Sequence, residues 1–183
     1  MTIAVIHGGG RPNGNTEILT KKVIKDISVD EIYLKKYAID PIVDQRHAEG
    51  GFAEVNDDYN TIIDRILKHE VLIFSTPIYW YSMTGTMKNF IERFSQTLKD
   101  EKYPDFKEKM AQKKAYVVAV GGDNPYMKGL PLIQQFQYIF DFIGEVQFEG
   151  YIIGEANQPG AIYQDQRALF AAKQLRDTLQ TYS

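Results

Sequence analysis

The nine residues Gly8-Gly9-Gly10-Arg11-Pro12-Asn13-Gly14-Asn15-Thr16 carry what anion binding needs. Glycines let backbone N–H groups approach an oxyanion, Asn13, Asn15 and Thr16 add neutral donors, and Arg11 adds one cation. If a helix follows, its N-terminus contributes ~+0.5 charge to the same point. Two phosphate-loop patterns come close and both fail. G-x-x-x-x-G-K-[ST], started at Gly9, has Asn15 where the lysine belongs, so a triphosphate loses its main charge partner. G-x-G-x-x-G, started at Gly8, has Asn13 at the third glycine, and the acids Asp30 and Glu31 come before the second strand rather than at its end. A loop with one cation suits a lone terminal phosphate better than a polyphosphate with Mg²⁺. The plainer reading is a glycine turn with Asn15 as helix N-cap.

About sixty residues on stands Thr76-Pro77-Ile78-Tyr79-Trp80-Tyr81-Ser82, which includes the sole tryptophan. Three consecutive aromatics supply flat apolar surface with polar tips, and they cannot all share one buried face. Pro77 fixes the backbone so that its neighbours present N–H and C=O groups to a planar heterocycle. A third segment, Gly121-Gly122-Asp123-Asn124-Pro125-Tyr126, allows close backbone approach, with Tyr126 positioned to cover a ring. The chain has no cysteine and no G-x-S-x-G, which removes thiol chemistry, disulfides and the serine elbow. Its three scattered histidines make no metal set. His7 reads as packed beneath the glycine loop, His47 and His69 as solvated.

These segments must be positioned by the elements before them. Strand-like runs fall at Thr2 to His7, Glu31 to Leu34, Val71 to Ser75, Ala115 to Val120 and Val146 to Ile153. Helix-period stripes fall between and after them: Leu19, Val23 and Ile27; Tyr59 to Leu67, capped by Asp57 or Asp58; Met83 to Leu98; Ile133 to Ile143; and Ala168 to Leu179. Five strands alternating with five helices imply a parallel sheet covered on both faces, and the flavodoxin-like order 2-1-3-4-5 fits best. Such sheets bind ligands beyond the carboxyl ends of their strands. Here those ends are residues 7–16, 75–85 and 121–127. The lysine-rich stretch from Lys99 to Lys114 reads as a solvated connection.

The 183 residues suit a single domain spanning 1–183. With 21 basic and 24 acidic residues the formal charge is −3, so no basic excess points to nucleic acid or an anionic membrane. The longest apolar runs are strand-length, too short for a membrane span. Residues 1–20 lack a secretory pattern, and a reduced, cytoplasmic setting is expected.

In these residues the chain resembles the NADPH-dependent FMN reductase family of flavodoxin-like oxidoreductases. Gly8 to Thr16 is similar to that family's G-S-P-R-x-N-G-N-T, and Thr76 to Trp80 to its S/T-P-[IV]-Y-W. Gly85-Thr86-Met87-Lys88-Asn89-Phe90-Ile91-Glu92-Arg93 matches the helix that follows. The resemblance implies that Arg11, Asn13, Asn15 and Thr16 hold an FMN phosphate. Pro77, Ile78, Tyr79 and Trp80 would line the isoalloxazine, with Gly121 and Gly122 at its other edge and Trp80, Tyr81 and Tyr126 shaping the substrate pocket. The family serine and proline fall at Gly9 and Gly10, so backbone N–H groups there replace one hydroxyl donor. Where some relatives carry iron–sulfur cysteines this chain has Ile42, Gln45 and Ala48, so electrons pass by the flavin alone.

The expected function is hydride transfer from NAD(P)H through non-covalent FMN to a small quinone, flavin, azo or nitro acceptor. The alternative is a flavodoxin-like electron carrier without its own nicotinamide site. The resemblance also implies a homodimer or dimer of dimers, to which the segment from Lys35 to Asn56 contributes.

Overall fold

The computed structural model describes residues 1–182. Five parallel strands form one sheet: β1 (Ile3–His7), β2 (Asp30–Tyr33), β3 (Val71–Pro77), β4 (Lys114–Gly121) and β5 (Gln147–Glu155). Their spatial order is β2-β1-β3-β4-β5, as expected. Side chains alternate between faces along a strand, so each central strand feeds two cores. Ala4 and Ile6, Leu72 and Phe74, and Val117 and Ala119 enter one of them. Ile3 and Val5, Val71 and Ile73, and Val118 and Val120 enter the other. This two-sided burial is why these strands read as unbroken apolar runs.

Two helices, α1 (Asn15–Val23) and α8 (Gln166–Gln180), cover the smaller core. The larger one is covered by α2 (Tyr59–Ile66), α3 (Gly85–Glu92), α4 (Phe94–Thr97), α5 (Phe106–Ala111) and α7 (Leu130–Phe142). A one-turn helix, α6 (Pro125–Lys128), precedes α7. No helix among the described residues is long and apolar enough to cross a membrane.

Several local expectations are corrected. The periodic run from Met83 to Leu98 is not one helix. Thr84 caps α3 by accepting a hydrogen bond from the Met87 N–H (3.2 Å), and the helix breaks at Arg93. Arg93 turns inward onto Asp57 (2.5 Å), the Asp40 carbonyl (2.9 Å) and Gln96 (2.9 Å). Asp57 therefore ends in a buried ion pair and not only at a helix start, where it accepts from the Tyr59 N–H. Asp58, at the N-cap of α2, makes no side-chain cap; its carboxylate accepts from the Ala38 N–H. The lysine-rich connection carries α5, which buries Phe106 and Met110 beside Tyr103. Asp30 and Glu31 lie inside β2, not before it. His69 is half-buried and hydrogen-bonded to Asp30 (3.2 Å), whereas His47 is exposed.

Candidate active site

The three glycine-rich or aromatic segments meet at the carboxyl ends of β1, β3 and β4, around a cleft of about 550 Å³. That size falls within the ~300–1,000 Å³ range of small-molecule sites. Its position is where strand order reverses, with β2 on one side of β1 and β3 on the other.

Gly8 sets the start of the loop. Its N–H continues the sheet onto the Ser75 carbonyl (2.8 Å), and its own carbonyl accepts from Thr84 Oγ1 (2.8 Å). A Cβ there would lie 2.9 Å from Met87 Cβ, so only glycine lets β1 approach α3 this closely. Beyond it the chain folds back at Asn13, whose φ of 53° is left-handed. Gly14, not Asn15, is the N-cap residue of α1, in extended conformation and without a side-chain cap. That frees the Asn15 amide to cross the cleft and donate to the Gln158 carbonyl (2.8 Å). Asn15 Oδ1 is left buried with no partner. The first-turn N–H groups of α1 point into the same space, as at any helix N-terminus.

Arg11 is exposed on the cleft wall and makes no ion pair among the described residues. Two carboxylates stand nearby. Glu17 accepts from the Asn13 N–H (2.8 Å) and from Tyr33 Oη (3.1 Å), and Tyr33 also donates to Glu31 (2.9 Å). His7 lies flat against Tyr33, rings 4.3 Å apart and 9° from parallel, with Nε2 3.0 Å from Glu31. Burial lowers the His7 pKa, and Glu31 only partly opposes it. Burial and the two carboxylates push Tyr33 up, so it stays a hydroxyl. The floor of the cleft is therefore neutral at His7, with Arg11 the cation on its rim.

Across from the loop stand Pro77, Ile78 and Tyr79, then Gly121 and Gly122. A Cβ on Gly121 would come within 3.2 Å of Ile78 and Pro125, and one on Gly122 within 2.9 Å of Asn157. These glycines let three segments close on each other and leave bare backbone at the wall. The fourth wall, Ala156 to Pro159, was not anticipated from the sequence. Its signal was the Asn157-Gln158-Pro159-Gly160 turn directly after the last strand, at the same rim as the other strand ends.

The aromatic run divides. Tyr79 lines the cleft, but Trp80 and Tyr81 form the centre of a tight turn closed by Tyr79 N–H to Ser82 O (2.9 Å) and Ser82 N–H to Tyr79 O (3.0 Å). Both have positive φ (49° and 63°), a geometry that costs a bulky residue on the order of 1 kcal/mol or more. Trp80 is 95% exposed and lines a smaller adjoining slot. Two expected site residues lie elsewhere. Gly10 is exposed off the cleft, its carbonyl 3.4 Å from Lys35 Nζ. Tyr126 donates to the Asp165 carboxylate (2.6 Å) and sits under Arg167 instead of covering the cleft.

A donor loop of this kind at the switch point of a 2-1-3-4-5 sheet defines a flavodoxin-like protein. Comparison with known families makes the class specific. The model of the NADPH-dependent FMN reductase family matches residues 1–138, and the chain belongs to that family. It is 58% identical, over 96% of each chain, to YwqN of Bacillus subtilis (strain 168), whose name gives it as an NAD(P)H-dependent FMN-containing oxidoreductase. The structure described as Trp repressor binding protein from Bacillus subtilis is 49% identical, with TM-score 0.80 over 95% of this chain and 97% of that one. An FMN-dependent NADH-azoreductase from Bacillus anthracis, solved with FMN, shares the fold at 9% identity, with TM-score 0.68 over 97% and 98% of the two chains. The chain is thus an oxidoreductase of the kind that works with FMN and a nicotinamide donor.

Proposed function

We propose that the cleft holds FMN non-covalently and that the chain, working as one domain, passes reducing equivalents from NAD(P)H to a small aromatic acceptor. The carrying observation is the convergence of a donor-rich loop with one cation and the segments Pro77 to Tyr79 and Gly121 to Gly122 on one cleft. The residues fit the group. Arg11, Asn13, Asn15, Thr16 and the backbone at Gly9 suit the phosphate. Buried Asn15 Oδ1, an acceptor without a donor, suits a hydroxyl of the sugar-alcohol chain. Pro77, Ile78 and Tyr79, with Gly121 and Gly122 packed beside them, suit the ring as one wall.

When bound, FMN would supply the hydride chemistry, taking a hydride from the nicotinamide donor and passing it on to the acceptor. The protein's part is position and exclusion. Ile78 and Tyr79 shield the ring from water, while Gly121 and Gly122 let the end of β4 pack against Ile78 and Asn157 beside it. Neutral His7 avoids a second cation beneath the loop. No side chain need act as a nucleophile or general base, and the acceptor's second proton comes from water.

The acceptors this reading admits are quinones, flavins, azo and nitro compounds. The reading places the chain in the cytoplasm, supported by its lack of cysteine, and as a homodimer or dimer of dimers, supported by exposed Tyr138 and Phe142. The test is the absorption spectrum after loading with FMN, followed by anaerobic NADPH or NADH. A flavin band that bleaches, with ping-pong kinetics, is expected. A yellow protein that neither donor bleaches would make it a carrier, and a protein that cannot be made yellow would refute the cleft assignment.

A further inference from the structure

We propose that the slot beside the cleft is a subsite for the electron acceptor, selecting planar aromatic molecules that carry an anionic substituent, and that Lys128 reads that substituent. This rests on the reading that FMN occupies the main cleft. The slot measures about 180 Å³, room for one aromatic ring and a substituent at ~30 Å³ per displaced water. It shares Ile78, Gly121, Gly122 and Asp123 with the main cleft, so a ring lodged there abuts the same wall as the cofactor.

Its surfaces divide into an apolar part and a charged end. Ile78, Pro125 and the indole of Trp80 make the apolar part. Gly129 belongs to that wall for a steric reason: a Cβ there would stand 2.8 Å from Ile78 Cδ1 and 2.5 Å from the Pro125 carbonyl. Trp80 is 95% exposed and so contributes little to the core, yet its backbone is held in the left-handed region to keep it outside. Its ring face is therefore open to a molecule lodged in the slot.

At the charged end Lys128 Nζ lies 2.8 and 2.7 Å from the two Asp123 oxygens, and Tyr81 Oη donates to Asp123 (2.9 Å). Lys128 also sits 5.8 Å from the Tyr81 ring centre. The Lys128 and Asp123 side chains are 47% and 61% exposed, so their pair is weak and exchanges at small cost. A sulfonate or carboxylate on the acceptor takes Asp123's place on the ammonium, while its ring lies against Trp80. An uncharged ring gains the stacking alone.

Trp80 is the only tryptophan of the chain, so its fluorescence reports the slot directly. The probes are redox-inert: 4-methylbenzenesulfonate and 4-methylbenzyl alcohol, titrated into the FMN-saturated protein. The wild type is expected to bind the sulfonate more tightly. Lys128→Met is expected to weaken sulfonate binding about threefold to fivefold and leave the alcohol unchanged, in keeping with an exposed charge pair. Lys128→Arg retains the preference, and Asp123→Asn strengthens it. In turnover, KM for a sulfonated benzoquinone rises in Lys128→Met by a larger factor than KM for the unsulfonated benzoquinone. Equal binding of the two probes by the wild type, or an equal shift of both in Lys128→Met, overturns the subsite. The flavin absorbance, followed in parallel, reports failure of the cofactor reading separately.

Discussion

Arg93→Leu tests the buried pair that ties the segment before α2 to the break between α3 and α4. Arg93 and Asp57 are 1% and 3% exposed, and the guanidinium also lies 4.6 Å from the Tyr59 ring centre. Leucine would replace part of the lost volume but leave Asp57 in place. Its carboxylate would keep only the N–H groups of Asp40 (2.9 Å) and Tyr59 (3.0 Å). Removing one partner of a buried pair strands a charge, at a cost of about 3–5 kcal/mol. For a chain of this size each kcal/mol lowers Tm by about 2–4 °C, so a fall of roughly 6–20 °C is expected. Urea denaturation of the two proteins gives the free energy directly.

The pH dependence supplies a check that packing alone would not. Burial by itself raises the Asp57 pKa, but hydrogen bonds from Arg93, Asp40 and Tyr59 outweigh it and hold the carboxyl below the ordinary carboxylate value. A depressed pKa contributes stability above the unfolded value, near ~3.9, that is lost as pH falls through the folded one. The gap between wild type and Arg93→Leu must therefore narrow in that acid window. Adding Asp57→Asn should recover part of the loss at neutral pH. A loss under about 1 kcal/mol, or a gap that is flat with pH, would refute the reasoning.

Arg11→Ala is expected to weaken FMN binding by about 10- to 100-fold, the worth of a charge-assisted hydrogen bond, as read by quenching of flavin fluorescence; unchanged affinity would remove Arg11 from the phosphate site. Glu17→Gln should tighten FMN binding by roughly 0.5–1.5 kcal/mol, because a carboxylate that now holds the Asn13 N–H would no longer repel the phosphate. Weaker binding would show that Glu17 serves the loop's shape instead. Gly8→Ala drives a methyl to 2.9 Å from Met87 Cβ and should cost about 1–3 kcal/mol in denaturant titrations. A neutral result there would mean α3 yields freely.

Much of this was legible in the residues. Two-sided burial leaves continuous apolar strands, so β1, β3 and β4 and the 2-1-3-4-5 order followed from pattern and connection rules. Loop segments rich in glycine and aromatics at strand ends marked three cleft walls for the same reason. Helical period was a poorer guide from Met83 to Leu98, because period reports which face is apolar and not whether the backbone stays in register. There the helix breaks at Arg93, whose side chain reaches inward to Asp57. Composition misjudged the stretch from Lys99 to Lys114, where exposed Lys99, Lys102, Lys107 and Lys109 hide buried Tyr103, Phe106 and Met110, and Lys113 is itself buried.

The sequence by itself determined the strands that build the sheet, the glycine- and amide-rich loop after the first of them, and the absence of thiol chemistry, since these depend on local pattern and residue type. Only the tertiary structure decided which side chains share a space. It drew Glu17, Tyr33, Glu31 and His7 into one network, brought Gln158 across to Asn15, and sent Tyr126 to Asp165. It also turned Trp80 outward while Tyr79 faced the cleft. Contacts between residues 16, 39 or 143 positions apart depend on how helices and turns settle against the finished sheet, and no local pattern along the chain encodes that distance.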